Sequence, residues 1–242
     1  MLKILFSPSE GKRQGGTLPP SELFGATQAR EAILKRYNEI VLGNDIQAVC
    51  ELFGFKKAAD CEPYRQDIFT SPHMHTIERY DGVAYEYLDY FSLAQEAQEY
   101  LKRNVVIFSN LYGPILGGDA IANYKVKQGN AIGSIEPDKF YKERFSYQLD
   151  LFLGESNILD LRAGYYDKFY VTKKPYTTLK FLKNGKTVSH WAKAYRGIVL
   201  REIAKNNVAS LEAFRALEIE NLSVAEIKVI KNKTEIVYDI HD

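Results

Sequence analysis

The sequence predicts a mixed α/β fold, in which helices surround a central mixed sheet that carries a positively charged cleft. Short apolar runs are typical of buried strands, and apolar residues at helical spacing separate them. A third observation is the turn signal Asn184-Gly185, which predicts a hairpin over 177–189 and so adds antiparallel pairing to the sheet. The strand candidates are Met1–Phe6, Val105–Phe108, Asn157–Leu161, Ile227–Ile230 and Glu235–Ile240, and the long helix candidates are Ser21–Leu42, Glu136–Leu153 and Ser189–Lys205.

Length and composition indicate one globular domain that spans residues 1–242 and contains no internal repeat. The sequence contains no apolar run of the roughly 18 residues that a membrane span needs, so no membrane partner is predicted. Because Lys3 interrupts the apolar start, we predict no signal peptide and expect a cytoplasmic protein. Cys50 and Cys61 are then expected to be reduced. Their spacing from the nearest histidines does not match common zinc sites, so we predict neither a metal nor a cofactor.

A polar loop follows the first predicted strand, at residues 7–12. Its glycine and lysine suggest a phosphate-binding loop, but the motif G-x-x-x-x-G-K-[ST] would place its first glycine at Phe6 and its last residue at Arg13. A loop at a strand end is still a usual place for ligand-binding groups. The candidates here are Ser7, Ser9, Glu10 and Lys12. A plain surface turn is the alternative interpretation.

Residues 46–65 predict two helices joined by a short break at Phe53-Gly54-Phe55. The second of these helices begins with the basic residues Lys56 and Lys57. The segment therefore resembles a helix-hairpin-helix, which binds a DNA backbone through hairpin amides and nearby lysines. The usual turn has a glycine where this chain has Phe53, so an ordinary corner between two helices is the alternative.

Polar residues also follow the second and third predicted strands. The candidates there are Asn110, Tyr112, Asp119, Asp160, Arg162 and Tyr166. Strands that lie in one sheet would bring these turns and the first loop to a common edge. We therefore expect a single cationic cavity, and the residues predicted to line it are Lys12, Tyr112, Arg162 and His190.

Positive charge is concentrated between Arg162 and Lys205. This segment contains eleven basic and two acidic residues, a net charge of +9, although the whole chain carries only +1. The rest of the chain is correspondingly acidic. Such segregation creates a local field that favours anionic partners.

The helix predicted over Ser189–Lys205 presents two different faces. Its buried face is predicted to consist of Trp191, Tyr195, Ile198, Val199 and Ile203. Its exposed face is predicted to consist of His190, Lys193, Gly197 and Arg201, with Arg196 on the flank and Ser189 at the start. Small residues between long basic ones let a phosphate or carboxylate approach the backbone closely. The alternative is a solvated surface helix without a ligand.

These motifs, in this order and spacing, resemble the YaaA family of peroxide stress proteins. The residues that carry the likeness are the loop 7–12, Ser109-Asn110-Leu111-Tyr112-Gly113, Asp119, Tyr124-Lys125, Asp160-Leu161-Arg162-Ala163-Gly164, Tyr166, Ser189-His190, Lys193, Arg196-Gly197 and Arg201. The resemblance covers nearly the whole chain. It implies a cytosolic α/β protein with a positively charged cleft that binds DNA and limits iron-driven damage to DNA under peroxide stress.

Three roles are compatible with these residues: DNA binding, catalysis and a purely structural role. The first is backbone binding of double-stranded DNA, for which the candidates are Lys12, Arg162, Lys193, Arg196, Arg201, Lys56 and Lys57. The second is an enzyme acting on a nucleotide or another phosphorylated small molecule, with Glu10 or His190 as the acid or base. Polar residues at several strand ends exceed what backbone binding requires, which keeps the enzyme hypothesis open. A purely structural role is the third.

Overall fold

The computed structural model describes residues 1–25 and 27–241, without the side chains of Thr27, Ser189 and His190. The strands are β1 (Leu2–Phe6), β2 (Gly11–Lys12), β3 (His73–His75), β4 (Tyr80–Asp81), β5 (Val105–Ser109), β6 (Gly113–Leu116), β7 (Ala120–Ala122), β8 (Asn157–Asp160), β9 (Tyr176–Lys183), β10 (Lys186–Thr187), β11 (Leu222–Ile230) and β12 (Lys233–Ile240). The α-helices are α1 (Thr27–Leu42), α2 (Ile46–Phe53), α3 (Thr76–Arg79), α4 (Val83–Leu88), α5 (Gln95–Asn104), α6 (Pro137–Leu153), α7 (Ser189–Lys205) and α8 (Leu211–Arg215).

Eight of the strands form one mixed sheet in the order β11, β12, β9, β8, β1, β5 and β6, with β10 paired to β9. From β12 to β5 each strand runs parallel to its neighbour, and the outer strands β11 and β6 are antiparallel. Every residue of β1 and β5 is buried, as expected for central parallel strands covered on both faces. The predicted mixed α/β fold is confirmed.

Besides the β5–β6 pair, two hairpins add antiparallel pairing to this sheet, and the first of them was predicted from its turn. Asn184 and Gly185 join β9 to β10 with φ angles of +52° and +72°. A two-residue turn with positive φ at both positions matches the twist of a hairpin. The chain ends with the hairpin of β11 and β12, which joins the sheet through parallel pairing of β12 with β9.

The first long helix begins later than the predicted Ser21. Residues 21–25 are not helical, and α1 starts at Thr27. The amide of Phe24 donates to Asp119 Oδ2 at 3.0 Å, which fastens this segment to the turn before β7. Gly25 has a φ of +89°, outside helical geometry. A long-range contact therefore overrides the local helical pattern.

The predicted second helix of residues 46–65 is wrong. The first helix is present as α2, with Asp45 accepting hydrogen bonds from two amides of its first turn and Gly54 ending it in a left-handed conformation. Beyond it lie only two single 3-10 turns, Ala58–Asp60 and Glu62–Tyr64. Pro63 falls in the second turn, and proline lacks the amide that a continuing helix needs. Lys56 and Lys57 are exposed in the loop before these turns.

Helix α7 is confirmed, but its predicted faces are partly wrong. Tyr195, Val199 and Ile203 are buried as expected, whereas Trp191 is 40% exposed. Gly197, which was assigned to the exposed face, is buried. A Cβ atom at this position would collide with the carbonyl oxygen of Ala84 in α4. The helix packs against both β9 and α4, so its glycine permits close approach of a helix and not of a ligand.

No helix in the described part of the chain is long and apolar enough to cross a membrane.

Candidate functional site

Strands β1, β5 and β8 end at the same edge of the sheet because they are parallel neighbours. Beside this edge lies a cavity of about 350 Å³. Its polar lining residues are Ser7, Ser9, Glu10, Tyr85, Gln128, Tyr166, Lys193 and Arg196. The cavity therefore gathers the loop after β1, the segment after β8 and helix α7. Crevices at the carboxyl ends of parallel strands are the usual ligand sites of open α/β sheets.

The loop after β1 is fastened from two sides. Ser7 Oγ accepts a hydrogen bond from the amide of Ala163 at 2.8 Å, which joins this loop to the segment after β8. The Ser7 carbonyl oxygen accepts from the hydroxyl of Tyr85 in α4, also at 2.8 Å. These bonds hold the first two segments of the cavity wall in a fixed relation to each other.

Arg162 is engaged inside the protein and does not line the cavity. Its Nε and Nη2 donate to both carboxylate oxygens of Asp160 at 2.9 and 2.7 Å. Its Nη1 donates to the carbonyl oxygens of Tyr166 and Tyr170 at 2.9 and 3.0 Å. Burial opposes the charge of Arg162, but Asp160 outweighs this and raises the arginine pKa above its ordinary value. Arg162 therefore organises the segment after β8 and has no donor directed to an external anion in this arrangement.

Glu10 forms an ion pair with Lys125, a residue for which the sequence predicted no individual role. Its Oε2 accepts from Lys125 Nζ at 3.1 Å, and its Oε1 accepts from the amide of Gln128 at 3.4 Å. Burial raises the pKa of Glu10, but the hydrogen bond and the charge of Lys125 outweigh it and bring the pKa below its ordinary value. Glu10 is thus held as a carboxylate. The sequence pointed to Lys125 only through the Tyr124-Lys125 motif. The ion pair itself could not be predicted, because Glu10 lies 115 residues away in the chain.

Lys12 lies behind the cavity wall and not in it. Its Nζ donates to the carbonyl oxygens of Ser9 and Glu10, both at 3.3 Å, and lies 4.1 Å from the ring centroid of Tyr124. Burial and, secondly, the nearby charge of Lys125 lower its pKa to about 7. Because the charged and neutral forms are then both populated near neutral pH, Lys12 can give or take a proton.

Three hydroxyl groups form a buried chain under the loop after β5. Ser109 Oγ accepts from the amides of Leu111 and Tyr112 at 3.1 and 2.8 Å. It lies 2.8 Å from the hydroxyl of Tyr124, which in turn lies 2.8 Å from the hydroxyl of Tyr80. Burial raises the pKa of Tyr80 to about 12, so this phenol stays neutral. These hydrogen-bonded hydroxyl groups stabilise the loop that carries Asn110 and Tyr112.

Several predicted cleft-lining residues lie elsewhere. Asp119 is structural, since its Oδ2 accepts from the amides of Phe24 and Leu116 at 3.0 and 2.9 Å. Asn110 is buried and its Oδ1 accepts from the Tyr166 hydroxyl at a long 3.5 Å. Tyr112 is buried, and its carbonyl oxygen accepts from Arg30 Nε. The loop after β1 and the segment after β8 meet in one cavity, but the loop after β5 does not line it. Lys12, Tyr112 and Arg162, which were expected to line the cavity, are not among its lining residues.

Helix α7 contributes two cations to the cavity, Lys193 and Arg196. Lys193 is exposed and Arg196 is partly buried. Burial lowers the pKa of Arg196 below its ordinary value, with Asp160 acting weakly in the other direction. Among the described side chains and backbone groups, none forms a hydrogen bond or ion pair with the Arg196 guanidinium. The side chains of the predicted residues Ser189 and His190, one turn earlier, lie outside the described residues.

Arg201, predicted to bind anions, instead holds the end of α4. Its Nη1 donates to the carbonyl oxygens of Leu88 and Asp89, both at 2.9 Å, and its Nη2 donates to Ser92 Oγ at 2.8 Å. Arginine at the last carbonyls of a helix satisfies groups that have no partner within the helix. Lys56 and Lys57 do not line the cavity either.

The described residues contain no cluster of three or more His, Cys, Asp or Glu side chains that could hold a metal ion. The polar lining of the cavity consists of hydroxyl groups, the amide of Gln128, the carboxylate of Glu10 and two cations. Such a set suits a ligand that carries an anionic group, because guanidinium and ammonium groups donate charge-assisted hydrogen bonds to phosphate or carboxylate oxygens.

Fold and cavity together define a mixed α/β protein with a polar cavity at the carboxyl edge of its parallel strands. The family model described as peroxide stress protein YaaA matches residues 2–228, so the chain belongs to this family. It is 43% identical over 249 residues to an uncharacterized protein of Campylobacter jejuni subsp. jejuni, covering 100% of both chains. UPF0246 proteins of Streptomyces coelicolor and Corynebacterium glutamicum are each 28% identical, over 90% and 94% of both chains. The resemblance seen in the motifs is confirmed.

Proposed function

We propose that this chain is a cytoplasmic protein of the peroxide stress response that binds double-stranded DNA and protects it from iron-driven damage. The family supports the stress role. The charge distribution supports DNA as the partner, since residues 168–201 include nine lysines and arginines and no Asp or Glu. Contacts of such residues with phosphates provide affinity with little sequence preference.

The main support for this proposal is the environment of the Arg196 side chain, which is partly buried and lines the cavity. A partly buried guanidinium without a hydrogen-bond or ion-pair partner among the described residues is a costly feature, because burial removes part of its hydration without replacing it. A phosphate at the cavity mouth would supply the missing bidentate acceptor. Lys193, one turn earlier on the same helix, lines the same cavity and would contribute a second charge.

Titration of a labelled duplex at several salt concentrations tests the proposal. We expect the logarithm of the association constant to fall linearly with the logarithm of the salt concentration, by about 0.9 per phosphate neutralised. Two duplexes of unrelated sequence should bind alike. Absence of binding at low salt, or affinity that is indifferent to salt, would contradict a DNA-binding role.

A second candidate function is an enzyme that acts on a nucleotide or another phosphorylated small molecule. The volume of the cavity favours it, because about 350 Å³ lies within the range of about 300–1,000 Å³ that is typical of small-molecule sites. Lys12 donates to the carbonyl oxygens of Ser9 and Glu10 and so positions the part of the cavity wall that carries these two residues. His190 remains a candidate acid or base, and Glu10 is a candidate base because it is held ionised.

Two measurements separate the candidates. Calorimetric titration with nucleoside monophosphates, nucleoside triphosphates and inorganic phosphate should show saturable binding if the cavity takes a small ligand. Lys12→Met should then lower turnover of that ligand, because the wall segment that carries Ser9 and Glu10 loses its support, and should leave duplex affinity unchanged. Lys35→Met is the matched control, since Lys35 is exposed on α1 and paired with Glu31 of the same helix. If duplex binding is found and no free nucleotide binds, the enzyme hypothesis is wrong.

A further inference from the structure

The two cysteines of the chain are in direct contact. Cys50 lies in the last turn of α2, and Cys61 lies between the two 3-10 turns that follow. Their Sγ atoms are 2.9 Å apart, and both thiols are free. Sulfur atoms that are already in contact across two short elements need only a small approach to reach bonding distance. The segment from Cys50 to Cys61 is therefore shaped for closure by a disulfide.

We propose that Cys50 and Cys61 form an oxidation site, in which hydrogen peroxide converts the two thiols to an intramolecular disulfide. The Cys50 thiolate attacks one peroxide oxygen, the O–O bond breaks, and hydroxide leaves, so that Cys50 becomes a sulfenic acid. The sulfur of Cys61 then attacks the sulfur of Cys50. The S–O bond breaks, and the hydroxyl group leaves as water with the proton of Cys61. Two thiols are oxidised and one peroxide is reduced to two waters.

The surroundings of the two thiols determine the order of these steps. Cys50 is partly exposed, whereas Cys61 is fully buried, so peroxide reaches Cys50 first. Burial raises the pKa of the Cys61 thiol to about 12, and the hydrogen bond and charge of Cys50 act in the same direction. Cys61 is therefore protonated near neutral pH.

The oxidation site is connected to the cavity by a short series of contacts. The carbonyl oxygen of Cys50 accepts from the amide of Phe55 at 2.9 Å, and the ring centroid of Phe55 lies 5.5 Å from Lys125 Nζ. Lys125 in turn holds Glu10 in the cavity wall. A disulfide would constrain the segment that carries Phe55. Oxidation is therefore expected to act on the same ion pair that keeps Glu10 ionised.

Thiol labelling with and without peroxide tests the proposal on the intact chain. Reduced wild-type protein is exposed to hydrogen peroxide, the oxidant is removed, and the remaining thiols are counted by mass after reaction with a maleimide. We expect both thiols to disappear within one monomer and to return after treatment with dithiothreitol. Cys61→Ser should accumulate a sulfenic acid at Cys50 that dimedone traps. In Cys50→Ser the remaining thiol of Cys61 should react with peroxide at least about tenfold more slowly than the thiols of wild type, because Cys61 stays protonated.

Two results would overturn the inference. Wild-type protein that keeps both thiols, or that forms only disulfides between molecules, excludes the intramolecular bond. Equal rates of thiol loss in Cys50→Ser and Cys61→Ser would contradict the assignment of Cys50 as the residue attacked first. The wild-type measurement needs no variant to fold, and neither measurement uses DNA, so its outcome is independent of the proposed DNA binding.

Discussion

Arg162 and Arg196 lie in the same basic segment and close to the same cavity, yet their surroundings differ completely. Arg162 is buried, and its guanidinium donates to Asp160 and to two carbonyl oxygens. Arg196 is partly buried and has no such partner among the described residues, and it lines the cavity. The first arginine is part of the scaffold, and the second is available to a ligand. A charge count over the segment cannot distinguish them, because availability depends on partners that only the fold assembles.

The largest expected effect is on stability and comes from Arg162. Arg162→Met should lower the free energy of unfolding by about 3–5 kcal/mol, because it leaves the buried carboxylate of Asp160 without its partner. Urea unfolding measures this loss. The double variant Arg162→Met, Asp160→Leu removes both charges and should recover part of it. If the single variant is as stable as wild type, the assignment of Arg162 to the scaffold is wrong.

Arg196 should show the opposite pattern, with an effect on binding and not on folding. Arg196→Met should reduce duplex affinity by about 1.5–3 kcal/mol, the value of hydrogen bonds to charged groups, and lower the salt slope by about one. Its unfolding free energy should stay within about 0.5 kcal/mol of wild type, because no described partner is lost. Lys35→Met, which removes an exposed charge on α1, is the control for net charge. Equal loss of affinity in both variants would mean that only overall charge matters.

Arg201 provides an intermediate case. The sequence placed it on an exposed face, where substitution would not affect folding. Its three hydrogen bonds to the end of α4 and to Ser92 instead predict that Arg201→Met costs about 1 kcal/mol of unfolding free energy. Duplex affinity should not change beyond the effect of the Lys35→Met control. Affinity loss equal to that of Arg196→Met would place Arg201 in the ligand site after all.

What the sequence predicted correctly was local. Apolar runs identified the central strands, and the polar residues directly after them lie at one sheet edge because parallel strands end together. The turn at Asn184-Gly185 could also be predicted. A two-residue hairpin turn needs positive φ at two successive positions, and asparagine followed by glycine is one of the few pairs that adopt it. Three-residue strands such as β3 are too short to show any periodicity, and they could not have been predicted.

What the sequence could not show was pairing across long distances in the chain. Lys125 holds Glu10, Asp119 holds Phe24, and α4 covers Gly197, and none of these contacts has a local pattern. The helix-hairpin-helix prediction was wrong for a related reason, because Gly54 and Pro63 end helical structure that the composition alone favoured. Fold class was therefore accessible from the sequence, whereas the roles of individual charged residues were not.

The last expected effect concerns Lys12, a cation whose charge itself depends on pH. Its pKa in the folded protein is about 7, against an ordinary value of 10.5, so above pH 7 the unfolded chain binds a proton that the folded protein has lost. Stability should therefore rise with pH between 7 and 9, and Lys12→Met should remove this rise. The slope should lie below the roughly 1.4 kcal/mol per pH unit of a full proton, because the side chain is partly exposed to solvent. Urea unfolding of both proteins at three pH values measures the slope, with Lys35→Met as the exposed control. If the slopes of wild type and Lys12→Met coincide, Lys12 stays charged throughout this range and belongs with Arg162 as a fixed charge of the scaffold.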